Sequence, residues 1–386
     1  MMLKQNTAVL SAVLMAFAVP LNAAGITVYK GDNGEYVKLG GRIQIQYYRN
    51  DPDTGKATDK TTDEVFFRRL RPYVEGSLHP DWKGKFQMDF GKAEDDNEVA
   101  IKDAYLQYKG IDNMKVTFGN ANFPFSREFL TTSKKQQLVE RTFVGDHNYG
   151  TPDRNIGLHL TGHSEGKHVS WGASAASASI DPDNTKLDFD TPVNRNKDFN
   201  EGWIFGGRVD FHPFGMLKFE QGDFKGEKKA TIGIAAFSWS NDDDNNTYDP
   251  GCAGKCDVDS VTGYEVSGAL RISGFSVDAE YNKFDTELIE SGVTSGIYKN
   301  SQSDLENWSV EGGYMVIPNK LEIVAGYSSQ DADNYATEWN RTSLGANYFF
   351  KKHDIKVQLT WQMNEDEDGV KGKDADEAFL QTQYVF

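Results

Sequence analysis

The chain has 386 residues, a formal net charge of -17 at pH 7 and a low hydrophobic fraction of 38%. The negative charge argues against nucleic acid as a partner, because proteins that bind a phosphate backbone carry an excess of Lys and Arg. Nothing in the chain resembles a linker, so one large domain is a simpler interpretation than two or three small ones. The 37 Gly, 24 Phe and 17 Tyr favour strands with one apolar face joined by glycine-rich turns.

The N-terminus has the three parts of a secretory signal peptide. Lys4 supplies a positive charge, Thr7 to Val19 form an apolar run, and Pro20 to Ala24 provide small residues. We therefore predict that residues 1–24 are a signal peptide, cleaved after Ala23 or Ala24, and that residues 25–386 form the exported domain. No later apolar run approaches the roughly 18 residues that a membrane-spanning helix needs. A mature chain embedded in a membrane would have to span it as a β-barrel.

Apolar and polar side chains alternate with a period of two along most of the mature chain, which is the pattern of half-buried strands. In the stretch from His353 to Met363, every second residue from Ile355 onward is apolar. The pattern predicts sixteen strands, an even number. They cover residues 37–48, 65–78, 82–91, 99–108, a stretch from 114, 154–161, 168–180, 202–211, 229–240, 262–272, 275–285, 305–316, 321–329, 337–349, 353–363 and 378–386.

The connections between these strands alternate between short turns and long polar loops, as in a transmembrane barrel with turns on one side and loops on the other. The one exception is His212 to Lys228, which is either a large turn or a missed hairpin. The chain ends on Phe386, and a terminal aromatic is typical of outer-membrane barrels. The sequence thus predicts an all-β fold, a 16-stranded antiparallel transmembrane β-barrel.

A connection of more than thirty residues follows the fifth strand, and it is too apolar for a linker. A helix-compatible run extends from Ser126 to Arg141 within it. The loop combines several Phe residues with the cations Arg127, Lys134, Lys135 and Arg141. Because such a segment can pack on one side and present cations on the other, we predict that this third long loop folds into the barrel, contains a short helix and forms a constriction.

Alternation also predicts which charges face the lumen. On the second strand it places Phe66 outside and Phe67 inside, with Arg68 near the rim. The first eight strands direct mainly cations inward: Lys38, Arg42, Arg69, Arg71, Lys83, Lys85, Lys115 and Arg208, against Glu75, Asp89, Asp103 and Asp210. The later strands direct mainly carboxylates inward: Glu265, Asp278, Glu280, Glu311 and Glu322, against Arg271, Arg341 and Lys356. These charges either attract solutes or pair with one another across the lumen.

Other motifs predict no chemistry. Cys252 and Cys256 lie in a polar loop, where a local disulfide is favoured over a metal site or free thiols in an oxidising compartment. Gly162 to Gly166 matches G-x-S-x-G, but a nucleophile elbow needs a helix after the strand, and here a strand follows. His159, His163 and His168 lack the spacing of zinc ligands. We expect no catalytic residue, no metal and no cofactor.

The region from Phe66 to Gly157 resembles the phosphate-selective porin O/P family. The motifs that carry the resemblance are Phe67-Arg68-Arg69, Asp81-Trp82-Lys83, Lys102-Asp103-Ala104-Tyr105-Leu106, Phe118-Gly119, Pro124-Phe125-Ser126, Glu128, Thr131-Thr132-Ser133, Glu140-Arg141 and Arg154-Asn155-Ile156-Gly157.

The resemblance implies a homotrimer of sixteen-stranded barrels with an arginine ladder in the lumen and anion-binding lysines near an eyelet formed by the third loop. Arg42, Arg69, Arg71 and Arg208 match the ladder. The loop cations Arg127, Lys134, Lys135 and Arg141 match the eyelet. Phe129 stands where phosphate-selecting members are expected to have a lysine, and this departure bears on phosphate specificity rather than on the porin class.

Together these features predict a passive porin in the outer membrane of a Gram-negative bacterium, in contact with outer-membrane lipid and lipopolysaccharide. Small anions such as phosphate are the expected solutes. The alternatives are a weakly selective or cation-preferring porin and, from another class, a barrel enzyme or a surface-structural or adhesin barrel.

Overall fold

The computed structural model describes residues 25–56, 58–91, 99–191, 193, 199–244, 246, 252 and 254–386, so the predicted signal peptide lies outside the described residues. Sixteen long strands follow one another along the chain. They are β1 (Tyr36–Asp53), β2 (Thr62–His79), β3 (Trp82–Asp89), β4 (Ala100–Ile111), β5 (Met114–Asn122), β6 (Arg154–His163), β7 (Val169–Asp181), β8 (Asn200–Phe211), β9 (Lys229–Asn241), β10 (Val258–Ile272), β11 (Phe275–Leu288), β12 (Gln302–Ile317), β13 (Leu321–Asp331), β14 (Trp339–Lys351), β15 (Ile355–Glu365) and β16 (Asp374–Val385).

The strands form a closed barrel. Each strand pairs antiparallel with the next, and β16 pairs with β1 from Asp374 opposite Asp53 to Val385 opposite Arg42. All sixteen strands overlap the predicted ones, which confirms the predicted fold. Two short strands are added at the ends: Ile26–Lys30 pairs with the start of β1, and Asp188–Asp190 pairs with the end of β7. Closure leaves no long unpaired edge in the wall.

The connections place long loops at one end of the barrel and short turns at the other. The exception predicted at residues 212–228 is a large turn, and this part of the described chain contains no strand. The turn folds inward, since Gln221 and Asp223 are 1% and 6% exposed. His353 contacts the carbonyl of Gln221 at 2.9 Å, and the amide of Gly274 donates to Asp223 at 2.8 Å. The turn therefore reaches into the lumen instead of lying on the surface.

The outer surface of the barrel is apolar. Large hydrophobic side chains with high exposure alternate along the strands, for example Ile232 at 61%, Ile323 at 57% and Leu359 at 52%. Such a continuous exposed belt is expected of a barrel that faces lipid. Among the described residues, none of the helices has the length and hydropathy that crossing a membrane would require.

The prediction for the faces of β2 was wrong at its loop end. A β-bulge interrupts the pairing between β1 and β2, so that Gln44 pairs with Arg69 and Ile45 pairs with Phe67. The extra residue, Arg68, reverses the alternation on the loop side of the bulge. Phe67 is therefore 49% exposed on the outer surface, whereas Phe66 and Arg68 line the lumen.

An apolar core lies inside the barrel near the long-loop end. Phe125 packs edge-on against Phe237 of β9 with ring centroids 5.0 Å apart, and its ring lies 5.7 Å from that of Phe284 of β11. Leu187 and Phe189 from the fourth long loop join the same cluster. Aromatic rings bury large apolar areas, so this cluster holds the long loops against the β9–β11 side of the wall.

The fifth long loop is fixed to the same core. Cys252 and Cys256 are joined in a disulfide with Cα atoms 5.1 Å apart, and both side chains are buried. The side chain of Asn184 accepts a hydrogen bond from the backbone amide of Cys256 at 2.9 Å. This hydrogen bond links the loop that the disulfide closes to the fourth long loop, on the β9–β11 side of the barrel.

Candidate functional site

The third long loop, residues 123–153, crosses the lumen. Its only α-helix is the single turn Arg127–Leu130 (α1), where the side chain of Ser126 accepts a hydrogen bond from the amide of Phe129. The helix-compatible run that the sequence suggested up to Arg141 is thus mostly not helical. An extended chain covers more than twice the distance per residue of a helix, and the loop has to cross the barrel.

The start of the loop is tied to the wall of β8 and β11. Arg208 of β8 donates to the carbonyl of Phe125 at 2.6 Å, and the carboxylate of Glu280 accepts from the amide of Glu128 at 2.8 Å. Arg127 pairs with Asp278 at 3.0 Å and is 2% exposed. These interactions fix the loop before it turns across the lumen.

The middle of the loop is tied to β13–β15. Lys356 donates to the carbonyl of Gln136 at 2.8 Å, and Asn347 donates to the carbonyl of Gln137 at 2.9 Å. The side chain of Gln137 in turn donates to Glu322 at 2.7 Å. Buried backbone groups need such partners when the chain is not in a regular element. The loop is therefore held closely against the β8–β15 wall.

The loop leaves an open cavity of about 580 Å³ on the opposite side, along β1–β3. Cations outnumber carboxylates in the lining of this cavity. The cations are Arg42, Arg68, Arg69, Arg71, Lys102, Arg141, Arg154 and Arg341, with His147, and the carboxylates are Glu64, Asp89, Glu140, Asp146, Asp153 and Glu377.

Four of these arginines form no ion pair with any described residue. Arg42 donates to the hydroxyl of Thr132 at 3.3 Å, and Arg69 donates to the side chain of Gln44 at 3.2 Å. Both are at least nine-tenths buried, and the Nε atom of each has no hydrogen-bond partner within the described structure. The positive charges of these two guanidinium groups are therefore not balanced by a carboxylate within the described structure.

The other two of these arginines, Arg141 and Arg341, rest on aromatic rings. Arg141 lies 5.2 Å from the ring centre of Phe129 and donates to the carbonyls of Phe129 and Thr131. Arg341 lies 4.3 Å from the ring centre of Phe143. Phe129, which replaces an expected lysine, therefore supports a cation of its own at the constriction. Cation–π contacts hold a guanidinium without neutralising its charge.

The remaining cations of the cavity are neutralised by carboxylates. Arg71 pairs with Asp89 at 2.5 Å, and Arg154 contacts Asp103 at 2.9 Å. Arg68 binds Glu140 through two hydrogen bonds, of 2.7 and 2.9 Å. These pairs shape the cavity but contribute less net charge than the four unpaired arginines.

Glu140 and His147 are two of the loop groups at the cavity whose pKa values are shifted. Burial works against the ionised carboxylate of Glu140, but the charge of Arg68 prevails and lowers its pKa to about 2. Burial also works against the charged imidazole of His147, but Asp188, 2.8 Å away, outweighs it and raises the pKa of His147 to about 9. His147 therefore adds a positive charge to the cavity at neutral pH.

Several predicted site residues lie outside the cavity lining. Arg127 and Arg208 are buried in ion pairs behind the loop, and Lys85 pairs with Asp103 at 2.5 Å. Lys115 is exposed near the short-turn end of β5. Lys134 is also absent from the lining; its carbonyl accepts a hydrogen bond from the side chain of Gln383 at 3.0 Å, and burial and the charge of Arg42 lower the pKa of its side chain. Of the nine predicted residues, Arg42, Arg69, Arg71 and Arg141 line the cavity.

The sequence missed Arg68, Lys102, Arg154 and Arg341 as cavity residues. Arg341 was assigned to the lumen by alternation, but its approach to the cavity depends on Phe143 of the loop, which alternation does not reveal. The inward carboxylates of the later strands were assigned correctly to the lumen. However, Asp278, Glu280 and Glu322 lie beneath the loop, where they bind loop atoms and do not line the cavity.

Comparison with known sequences agrees with this architecture. Residues 37–213 match the family described as phosphate-selective porin O and P. Porin O of Pseudomonas aeruginosa is 30% identical over 118 residues, which cover 30% of this chain and 27% of that protein. An uncharacterised protein of Aquifex aeolicus is 24% identical over 335 residues, covering 77% of this chain and 75% of that protein.

Solved structures share the fold. The anion-selective porin of Comamonas acidovorans has a TM-score of 0.59 at 11% identity, covering 91% of this chain and all of that one. The trimeric form of OmpT, an outer membrane protein of Vibrio cholerae, has a TM-score of 0.55 at 15% identity, covering 91% and 99%. The closed barrel, the lipid-facing belt and the match of residues 37–213 identify a porin in the outer membrane of a Gram-negative bacterium.

Proposed function

We propose that this chain, whose residues 37–213 match the phosphate-selective porin O and P family, admits small anions by passive diffusion and prefers oxyanions such as phosphate. The observation that carries the proposal is the set of four arginines at the cavity without carboxylate partners in the described structure: Arg42, Arg69, Arg141 and Arg341. The family and the fold are those of a channel, and we propose no catalytic role.

The selectivity would arise from the electrostatic field of the cavity. A cation about 4 Å from a passing anion contributes roughly 4 kcal/mol of attraction at an effective dielectric constant near 20. The guanidinium groups replace part of the water that the anion loses in the constriction, and the loop limits its size. Passage requires that no single contact hold the solute for long, and several arginines along the cavity meet that requirement.

The test is the reversal potential of the purified porin in a planar bilayer under a KCl gradient. Wild-type protein should prefer chloride over potassium, and added phosphate should reduce the chloride current. Replacing Arg42 and Arg69 together by glutamine should lower the anion-to-cation permeability ratio by at least about fivefold, which corresponds to a loss of ~1 kcal/mol.

The matched control is Arg49→Gln, which removes a β1 arginine that is 47% exposed and paired with Asp51 outside the cavity. This variant should retain the selectivity of the wild type. A cation preference of the wild-type protein would refute the proposal and favour the general, cation-preferring porin. Absence of any conductance would instead point to a structural or enzymatic barrel.

We propose in addition that the porin is a homotrimer and that its rim contacts lipopolysaccharide. The family resemblance and the trimeric form of OmpT support the first statement. The second is supported by the belt of apolar side chains on the outer surface. Cross-linking in native membranes would test the assembly, and N-terminal sequencing of the mature protein would test cleavage of the predicted signal peptide after Ala23 or Ala24.

A further inference from the structure

An aromatic cluster borders the unpaired arginines at the cavity. It consists of Tyr48 of β1, Phe66 of β2 and Phe379 of β16, all three in the cavity lining. Tyr48 and Phe379 are stacked, with ring centroids 5.1 Å apart and an interplanar angle of 24°. Phe379 is buried, whereas Tyr48 and Phe66 are partly exposed. We call these three side chains the aromatic shelf.

The β-bulge at Arg68 determines which residue of β2 joins the shelf. Without the extra residue, alternation would turn Phe66 outward to lipid and Phe67 inward, the reverse of what the structure contains. The register brings the shelf next to the cations, since Phe66 pairs with Gln46 and Arg69 pairs with Gln44 on the same strand β1. The apolar and cationic surfaces thus lie side by side on β1 and β2.

The carboxylates near the shelf are mostly engaged by other groups. Glu377 accepts hydrogen bonds from the Tyr48 hydroxyl at 2.6 Å and from Asn364 at 2.8 Å. Glu140 is held by Arg68. Glu64 of β2 lies opposite Tyr48 in the β1–β2 register and lines the cavity on the loop side of the shelf. The guanidinium groups of Arg42 and Arg69 therefore remain the groups available to an anion beside the shelf.

The cavity is larger than an inorganic anion requires. Its volume of about 580 Å³ falls within the range of roughly 300–1,000 Å³ typical of sites for organic ligands. An inorganic oxyanion would contact the arginines but leave the shelf exposed to water. A planar organic anion would cover both surfaces at once.

We infer that the passage recognises aromatic carboxylates, with the carboxylate on Arg69 and Arg42 and the ring against Phe66 and Tyr48. This inference rests on the proposed anion selectivity and narrows it to a class of organic solute. The ring of the solute stacks on the shelf in an offset or edge-on arrangement, which aromatic pairs prefer. The arginines hold the carboxylate through charge-assisted hydrogen bonds.

The experiment measures how strongly three carboxylates reduce the chloride current through the intact porin in planar bilayers. Benzoate is the probe, cyclohexanecarboxylate has a similar size without an aromatic ring, and acetate has only the carboxylate. Benzoate should block at a concentration roughly three- to tenfold lower than cyclohexanecarboxylate, as expected for an aromatic contact. Equal block by benzoate and cyclohexanecarboxylate would overturn the inference. This comparison uses the wild-type protein alone.

A matched pair of variants tests the role of the shelf. Phe66→Leu removes the lumen-facing ring, and Phe67→Leu removes its neighbour on the lipid-facing surface. The first should abolish the preference for benzoate over cyclohexanecarboxylate, and the second, which lies on the lipid-facing surface, should leave that preference as in the wild type. A benzoate preference that survives Phe66→Leu would overturn the assignment to the shelf. A cation-selective wild type would instead refute the proposed function.

Discussion

The two sides of the barrel wall contribute charges of different kinds to the lumen. On β1–β2, Arg42 and Arg69 face the cavity without a carboxylate partner among the described residues. On β11–β13, Asp278, Glu280 and Glu322 bind the third loop and are covered by it. The sequence predicted that the first eight strands form a mainly basic wall and the later strands a mainly acidic one. The docked loop covers the carboxylates of β11–β13. The net charge along the passage is therefore set mainly by the arginines of β1–β2.

The strongest way to disrupt this difference is to release the loop. Asp278→Ala would leave Arg127 and Arg271 buried without their carboxylate, and breaking a buried pair in this way costs about 3–5 kcal/mol. We expect a lower unfolding temperature of the barrel in detergent and a larger single-channel conductance. The control Asp285→Ala removes a carboxylate that is 48% exposed and should change neither property. Normal conductance of the Asp278 variant would mean that other contacts hold the loop.

A smaller effect is expected from Arg341→Gln, which removes the one unpaired arginine that β14 contributes to the cavity. Because Arg341 is held by the ring of Phe143 and by Asn364 rather than by a carboxylate, its loss should reduce anion preference. We expect a two- to fivefold decrease in the permeability ratio, or up to ~1 kcal/mol. Reversal potentials of this variant and of Arg49→Gln, measured in parallel, provide the check. An unchanged ratio would show that solutes pass on the β1–β2 side alone.

The effect of pH on the anion-to-cation permeability ratio should be smaller than that of Arg341→Gln. The folded-state pKa of His147 is about 9, above the ordinary value of 6.5. The contact between His147 and Asp188 therefore stabilises the folded loop fully below pH 6.5 and is lost as the pH rises through about 9. The anion-to-cation permeability ratio should decline over the same pH interval. The decline should be less than about twofold, because His147 contributes a single charge at the edge of the cavity. His147→Gln should remove this dependence, and a wild-type ratio that is constant from pH 7 to 10 would contradict it.

The smallest effect on permeation is expected from the disulfide. Cys252 and Cys256 close a short loop, so their reduction should cost about 2 kcal/mol of stability at most. The disulfide contacts Asn184 on the β9–β11 side of the barrel, and none of these three residues lines the cavity. The double variant Cys252→Ser with Cys256→Ser should therefore keep the wild-type reversal potential. A change in selectivity would show that the loops on the β9–β11 side influence the passage.

The strands could be predicted from sequence because alternation is a local property of each strand. Residues 353–363 and the observed β15 illustrate this agreement. The bulge at Arg68 could not be predicted, because one extra residue leaves the composition of β2 unchanged while it reverses the faces of Phe66 and Phe67. The length of the third loop and its mixture of aromatic residues and cations predicted that it folds inward, but its hydrogen-bond partners come from distant strands and could not be predicted.

The ion-pair partners of individual cations could not be predicted from the sequence either. Arg69 and Arg208 both alternate inward, yet Arg69 lies at the cavity, whereas Arg208 is held by Asp210 and Glu265 behind the loop. Which arginine remains unpaired depends on contacts between residues far apart in sequence. Alternation gives the face of a side chain and says nothing about its partner.

The large turn between β8 and β9 has a consequence for the order of assembly. Its residue Gln221 donates through its amide to the carbonyl of Lys135 at 3.1 Å and accepts from the amide of Gln137 at 2.7 Å, so it supports the loop from the short-turn end. Gln358 of β15 reaches the same loop across 221 residues of sequence. The strands that bind the loop, β8, β11 and β13–β15, all follow it in the chain, and contacts over such sequence separations carry a large loop-closure entropy. We therefore expect a nascent barrel to lack its filter until these later strands have been added.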